Sequence, residues 1–170
     1  THAPTASRTG SATRIAVRMS LDPQIAGLIE ELDAAFPPVH AMTGAQARAA
    51  SRSRYVPAAA PQPTEVRDLS IAGPGGYIAV RIYRPQRYSG TLPVLVYAHG
   101  GGFVFCDLDS HGGRCRDLAT RLPATVVSVA YRLSPEHRWP AAAEDFYAAT
   151  AWAANHAAEL GGQDAEILVG

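Results

Sequence analysis

The sequence predicts an α/β fold built on a mostly parallel sheet, with helices on both faces. Three apolar segments, at 92–98, 125–130 and 165–169, have the composition of buried strands. Two helical segments, at 110–122 and 141–160, separate them. Strands that alternate with helices along the chain are typical of a parallel sheet. With 47% hydrophobic and 18% charged residues among 170, the chain has enough apolar material for one core.

Ahead of these segments the sequence predicts two helices. The first covers 21–36, where Asp22 can cap the helix and Pro23 suits its first turn. One face of this helix is apolar, at Ile25, Leu28, Ile29, Leu32 and Phe36. The second helix begins at the capping-box pattern of 43–46 and continues to about Ser53.

An antiparallel hairpin is predicted between these helices and the first parallel strand. Its two strands are 65–72 and 77–84, and the Gly-Pro-Gly-Gly sequence at 73–76 supplies the turn. In the second strand every other residue is apolar, at Ile78, Val80 and Ile82. This alternation predicts one buried face, and the hairpin is expected at the edge of the sheet.

The loop after the first parallel strand, 99–103, has the sequence His-Gly-Gly-Gly-Phe. Glycine exposes its backbone N–H groups and adopts dihedral angles that other residues resist. Two such amides aimed at one point can stabilise a developing negative charge, as an oxyanion hole does in acyl transfer. A flexible turn is the alternative for three glycines, but the preceding strand and the flanking histidine and phenylalanine favour the oxyanion hole.

A second motif makes the pattern specific. Residues 131–142, Tyr-Arg-Leu-Ser-Pro-Glu-His-Arg-Trp-Pro-Ala-Ala, follow the strand 125–130. Together with 99–103, this segment resembles the bacterial hormone-sensitive lipase family of carboxylesterases, in which a His-Gly-Gly-Gly motif precedes a Tyr-Arg-Leu-x-Pro-Glu-His segment. The resemblance covers nearly all of 65–170 and implies the α/β-hydrolase fold. One departure is Cys106, where relatives commonly carry glycine.

The resemblance implies a serine esterase that acts on a small-molecule ester without a metal or other cofactor. Its site residues in this chain would be the oxyanion amides of Gly101 and Gly102, the loop residues His99 and Gly100, and the pocket-lining residues Phe103 and Val104. His99 is expected to hold the loop through a hydrogen bond rather than to act as the base. A homodimer is left open.

The catalytic triad is missing from the sequence. No serine has the G-x-S-x-G pattern of a nucleophile elbow; Ser110 comes nearest, with Gly112 two residues after it but Leu108 two before. In the family the elbow follows a strand like 165–169, and Gly170 would be its first glycine. The nucleophile, acid and base are therefore expected beyond Gly170, so that the chain is the N-terminal portion of an enzyme.

The chain is accordingly divided into residues 1–63, an N-terminal arm with cap helices, and residues 64–170, the first half of the hydrolase domain. The polar stretch 1–13 is expected to be a mobile arm, and the alanine- and proline-rich stretch 56–63 a linker. In the family, N-terminal helices form part of a cap over the active site. Simple coverage of core surface is the alternative for these amphipathic helices.

Other conspicuous side chains are assigned structural roles. His111 and His137 are expected to make local hydrogen bonds, and Arg132 is expected to pair with Glu136. Asp145 is expected to make contacts separate from those of Glu136. Four aromatic residues are predicted to lie in the core: Trp139, Phe146, Tyr147 and Trp152.

Composition excludes several classes of protein. Fifteen arginines balance fifteen acidic residues, so no basic field exists to bind nucleic acid or a membrane surface. No segment has the length of a membrane span, and the absence of a secretory signal at the start predicts a cytoplasmic protein. Cys106 and Cys115 are too few and too far apart for a zinc site; a reduced pair is expected and a disulfide is left open.

Two other functions compete with ester hydrolysis as interpretations of the sequence. A dinucleotide-binding enzyme is excluded because the glycine loop lacks the third glycine of G-x-G-x-x-G. A non-catalytic small-molecule-binding protein on the same fold stays open, since fold alone does not establish catalysis. An intact triad would distinguish the enzyme from the binding protein.

Overall fold

A computed structural model describes residues 21–55, 64–162 and 167–170, which form parts of two compact units, 1–37 and 38–170. The first unit contains helix α1 (Pro23–Ala35). The Asp22 carboxylate accepts a hydrogen bond from the Gln24 amide at 2.8 Å and so caps this helix, as predicted. The predicted arm and linker lie outside the described residues.

The second unit begins with a short 3₁₀ turn (Val39–Ala41) and helix α2 (Gly44–Ser53). The predicted capping box is present at the start of α2. The Gln46 amide donates to Thr43 Oγ1 at 3.3 Å, and the Thr43 amide donates to Gln46 Oε1 at 2.8 Å.

The second unit is organised around a five-stranded sheet. Its strands are β1 (Thr64–Gly73), β2 (Gly76–Pro85), β3 (Val94–Ala98), β4 (Thr125–Ala130) and β5 (Ile167–Val169), in the spatial order β1-β2-β4-β3-β5. The pairs β1/β2 and β2/β4 are antiparallel, and β4/β3 and β3/β5 are parallel. Four strands therefore run in one direction and β2 runs in the other. The predicted hairpin, β1/β2, lies at the edge of the sheet.

Helices α3 (Gly112–Arg121) and α4 (Ala141–Asn155) cover opposite faces of this sheet, as predicted. Buried residues packed on the α4 face include Val80, Val96, Val127, Val129, Ala149 and Ala153. Buried residues packed on the α3 face are Tyr83, Leu95, Cys115, Ala119 and Val126. Neighbouring residues of β3 and β4 point to different faces because side chains alternate along a strand.

Helix α4 is shorter than the sequence predicts. It ends at Asn155, whereas the alanine-rich pattern continues to Leu160. The Leu160 carbonyl accepts hydrogen bonds from Thr125 Oγ1 at 3.0 Å and from Arg84 Nη1 at 3.1 Å, and Gly161 follows with φ of +81°. These contacts with β2 and β4 hold the segment in turns, so tertiary structure overrides helix propensity there.

The predicted burial of the four aromatic residues is half right. Phe146 and Trp152 pack against the core cluster on the α4 face. Trp139 is 81% exposed and Tyr147 is 77% exposed, so their assignment to the core is wrong. Tyr147 follows Phe146 by one residue, which places it about 100° around the helix from the buried side.

Candidate active site

In the structure the glycine loop covers residues 99–106. It begins where β3 ends, at the carboxyl ends of the parallel strands. Gly170 extends the pairing of β5 with β3: its amide donates to Val96 O at 3.1 Å, and its carbonyl accepts from the Ala98 amide at 2.8 Å. The end of β5 therefore lies beside the first residue of the loop. Open α/β sheets bind ligands outside the carboxyl ends of their strands, and this edge is such a place.

His99 anchors the start of the loop. Its side chain is almost fully buried, and its ring stacks on Tyr131 with 4.3 Å between ring centroids. His99 Nδ1 lies 2.8 Å from Gly100 O, and the Tyr131 hydroxyl donates to His99 O at 2.5 Å. A carbonyl oxygen can only accept, so Nδ1 carries the proton. Burial lowers the pKa of His99, which favours the neutral ring.

The hydrogen bonds of the loop determine where two of its amides point. Gly100 O faces the His99 ring, and Gly101 O accepts from the Val104 amide at 3.0 Å and from the Phe105 amide at 3.1 Å. In a trans peptide the N–H points opposite to the C=O. The Gly101 N–H therefore points away from the His99 ring, and the Gly102 N–H points away from the following turn. Within the described ranges neither amide donates a hydrogen bond, so both are available to an oxygen of a ligand.

The glycine requirement is strongest at the second position of the triplet. Gly101 has φ of +120°, and a Cβ atom there would lie 2.0 Å from Phe105 O. Gly102 has φ of +59° but open space around it. Gly100 has neither constraint, since its Cβ would make an ordinary 3.8 Å contact with His111 Nε2. A side chain at 101 cannot be accepted without moving the loop.

Two residues at the end of the loop adopt a backbone conformation that favours glycine. Phe103 has φ of +62° and Cys106 has φ of +71°. The left-handed conformation costs about 1–2 kcal/mol for a residue with a side chain. A glycine at position 106, which the family resemblance leads one to expect, would be free of this cost. Cys106 and Cys115 are both free thiols.

The two predicted pocket residues lie in different surroundings. Val104 lines an apolar groove of about 400 Å³, together with Val39, Met42, Ala47, Phe105 and Pro135. Phe103 is 59% exposed, and its ring centroid lies 6.1 Å from that of Tyr131. The groove is formed between the start of α2 and the end of the loop, so Val104 has an apolar cavity beside it.

The predicted Arg132–Glu136 ion pair is wrong. Arg132 instead forms a two-pronged pair with the buried Asp145 of α4, with Nε and Nη2 each 2.9 Å from a carboxylate oxygen. The Arg132 amide donates to the same carboxylate at 2.9 Å. Glu136 pairs with Arg48 of α2. The separate contacts predicted for Asp145 and Glu136 are confirmed; their partners come from segments distant in sequence.

Ser110, the serine nearest to an elbow pattern, uses its hydroxyl for hydrogen bonds within a local turn. Its hydroxyl donates to Asp107 O at 2.9 Å and accepts from the Asp107 amide at 2.8 Å. His111 Nδ1 lies 3.2 Å from this hydroxyl, while the Asp107 carboxylate accepts from the Ser110 amide and from Arg52 Nε. The three side chains are adjacent, but the carboxylate does not orient the histidine as a triad acid does.

The described residues include neither a membrane-spanning helix nor a metal-binding cluster. No described helix has the length and apolarity needed to cross a membrane. Among residues 21–55, 64–162 and 167–170, no group of three histidine, cysteine or acidic side chains is arranged to bind a metal ion.

Comparison with known proteins agrees with this geometry. Residues 95–170 match a protein family described by the alpha/beta hydrolase fold. Esterase LipI of Mycobacterium tuberculosis is 51% identical over 106 residues, which are 61% of this chain and 33% of that protein. The ethyl acetate hydrolase of Pseudomonas putida is 35% identical over 153 residues, 84% of this chain and 48% of that protein.

Solved structures give the same result. An ester hydrolase from the Lake Arreo metagenome superposes with a TM-score of 0.77 at 35% identity, covering 88% of this chain and 50% of that one. The hyperthermophilic esterase of Pyrobaculum calidifontis superposes with a TM-score of 0.72 at 37% identity, covering 89% of this chain and 49% of that one. The chain therefore spans half or less of the length of these relatives.

The fold and the glycine loop define an α/β-hydrolase. Within that class, the relatives matched are esterases and carboxylesterases, in line with the resemblance that the two motifs show to the bacterial hormone-sensitive lipase family.

Proposed function

We propose that this chain supplies the oxyanion hole of a serine carboxylesterase that hydrolyses small-molecule carboxylic esters. The observation that carries the proposal is the pair of unengaged amides at Gly101 and Gly102, at the carboxyl edge of the sheet and next to the end of β5. In α/β-hydrolases one oxyanion amide comes from the loop after the corresponding strand, and the nucleophile follows the neighbouring one. The position of Gly170 beside Ala98 fits that arrangement.

The proposed mechanism divides the work between this chain and residues outside it. A serine attacks the ester carbonyl while a histidine takes its proton, and the carbonyl oxygen becomes an oxyanion. Gly101 and Gly102 donate hydrogen bonds to that oxygen, which stabilises the tetrahedral intermediate. The alcohol leaves with the proton, and water then hydrolyses the acyl-enzyme. No serine of this sequence has the elbow pattern, so the nucleophile, acid and base are assigned to residues beyond Gly170.

Helix α2 supports the proposed role of the N-terminal residues as part of a cap. It forms one wall of the apolar groove whose other wall includes Val104 and Phe105 of the loop. An apolar groove lined by Val104 and Phe105, which follow the proposed oxyanion glycines closely in sequence, suits the acyl or alcohol part of an ester. The division of the chain at residue 63 and the pocket role of Phe103 remain predictions.

Binding without catalysis is the less favoured function. The matched relatives bear the names esterase, carboxylesterase and ethyl acetate hydrolase, and these names support hydrolysis.

The test is ester hydrolysis by the full-length protein that contains this chain, measured with p-nitrophenyl esters of increasing acyl length. Gly101→Val keeps the amide but its Cβ would lie 2.0 Å from Phe105 O, so the loop must move and the donors are displaced. We expect kcat to fall at least about a hundredfold, roughly the cost of losing one oxyanion donor. Gly27→Val is the matched control, since a side chain at Gly27 meets no atom within 4 Å. Near-normal turnover by Gly101→Val would contradict the proposal. Ester binding without hydrolysis by the natural protein would favour the binding function.

A further inference from the structure

We propose that Arg48 of α2 is a positioning residue for the oxyanion hole: it holds the end of the glycine loop and thereby fixes the direction of the Gly102 amide. The inference rests on the proposed function. Arg48 belongs to neither sequence motif and lies in the predicted cap region. Only the folded structure brings its guanidinium to the loop.

The guanidinium of Arg48 joins helix α2 to two other segments, the glycine loop and the segment 131–142. Nη1 donates to Val104 O at 2.9 Å, in the loop, and to Ser134 O at 3.0 Å, in the segment 131–142. Nη2 pairs with the Glu136 carboxylate. The Arg48 side chain is only 19% exposed, so its hydrogen bonds to the two carbonyls are partly shielded from water.

Two successive hydrogen bonds connect Arg48 with the oxyanion amide. Arg48 holds the carbonyl of Val104, and the amide of Val104 donates to Gly101 O at 3.0 Å. Gly101 O belongs to the same planar peptide as the Gly102 N–H. Movement of Val104 therefore rotates the peptide that carries the proposed oxyanion donor. A donor displaced by about 1 Å loses much of its effect on a transition state.

The end of the loop needs such external support. Phe103 and Cys106 both have positive φ, a strained conformation that persists only when the surroundings enforce it. The Ser134 amide donates to Phe103 O at 2.8 Å, so the loop and the segment 131–142 are already in contact. Arg48 bridges the carbonyls of Val104 and Ser134 at this contact.

Close packing of the start of α2 against the segment 131–142 keeps Arg48 in place. A Cβ atom at Gly44 would lie 2.6 Å from Pro135 Cδ, so the start of α2 is pressed against the segment that Arg48 also binds. The capping box fixes the first turn of the same helix. One turn further on, Arg52 Nε donates to the Asp107 carboxylate at 3.1 Å.

Arg52 provides a matched control because it reaches the same loop from the same helix face. Its contact is with a side-chain carboxylate, and its own side chain is 72% exposed. It makes no contact with the Gly101–Val104 hydrogen bond. Arg48→Met and Arg52→Met thus remove the same charge from neighbouring turns, but only the first removes a bond to the loop backbone.

The experiment compares Arg48→Met, Arg48→Lys and Arg52→Met in the full-length enzyme. Arg48→Met is expected to lower kcat for p-nitrophenyl acetate roughly tenfold to a hundredfold with little change in KM. Arg48→Lys should recover part of kcat, because an ammonium group can bind one carbonyl but lacks the fork that reaches both. Arg52→Met should stay within about fivefold of the natural enzyme, as expected for an exposed ion pair.

The rate of amide hydrogen exchange in the 99–106 peptide tests the positioning role of Arg48 independently of ester hydrolysis. Faster exchange in Arg48→Met than in Arg52→Met supports the positioning role, even if the full-length protein hydrolyses no ester. Unchanged exchange and unchanged kcat in a folded Arg48→Met variant would overturn it. If Arg48→Met does not fold, the Arg48→Lys variant is used instead. A lower kcat at constant KM in this variant supports the positioning role. A lower unfolding free energy with unchanged kcat overturns it.

Discussion

The two ends of the glycine loop are held in different ways. At the start, His99 is buried, has no positive φ and is fixed by Tyr131 and by its own bond to Gly100. At the end, Phe103 and Cys106 are strained, and Arg48 fixes the backbone between them. The start relies on residues of the two sequence motifs, whereas the end relies both on Ser134 of the second motif and on a helix from outside the motifs. A catalytic motif can therefore mark an oxyanion loop without containing everything that shapes it.

The largest effect expected at the start of the loop comes from Tyr131→Phe. This change leaves the His99 carbonyl buried without its hydrogen bond, which costs about 1–3 kcal/mol of unfolding free energy. The full-length protein is unfolded in urea, with Tyr147→Phe as control because Tyr147 is exposed on α4. Equal stability of the two variants would show that the Tyr131 hydroxyl does not hold the start.

Acid should destabilise the folded protein through buried His99 at the start of the loop and through His111. Burial lowers the pKa of His99 and of His111, so the unfolded chain binds protons more readily than the folded protein below the ordinary value of 6.5. The unfolding free energy is therefore expected to fall as pH drops below that value, by at most about 1.4 kcal/mol per pH unit for each histidine. Asp107, near both rings, opposes the shift.

Urea midpoints between pH 7 and pH 5 measure this dependence. His99→Gln should make the decline shallower, since one of the two histidines no longer titrates. An unfolding free energy that rises on acidification over this range would contradict the expected effect of the buried histidines. So would a pH dependence that is unaffected by His99→Gln.

The smallest effect is expected at the end of the loop from Cys106→Gly. Glycine accepts φ of +71° without strain but has a more flexible unfolded chain, so the net gain is expected to be at most about 1 kcal/mol. Cys106→Ala is the control, because it removes the thiol and keeps the strained backbone. A gain in Cys106→Ala equal to that in Cys106→Gly would assign the effect to the thiol instead.

Local sequence patterns predicted most of the fold. The alternation of Ile78, Val80 and Ile82 and the capping residues Asp22 and Thr43 act between neighbours in the chain, and the corresponding elements are confirmed. The end of α4 was predicted wrongly because contacts of Leu160 with β2 and β4 stop the helix there. Such contacts join residues far apart in sequence and leave no periodic signal.

The same limit explains what was missed around the site. The glycines could be found because the motif is contiguous, but the partners of Arg132 and Glu136 are Asp145 and Arg48, brought together only by folding. Arg48 stands in an ordinary helical stretch with nothing in its sequence to mark a role. The cytoplasmic location remains a prediction, and a homodimer remains open.

The most direct test of the central claim is a crystal structure of the full-length protein after reaction with a p-nitrophenyl phosphonate, whose phosphonyl oxygen imitates the oxyanion. The account predicts that this oxygen lies about 2.7–3.1 Å from the amide nitrogens of both Gly101 and Gly102. A phosphonyl oxygen bound elsewhere, with these two amides still unengaged, would contradict it.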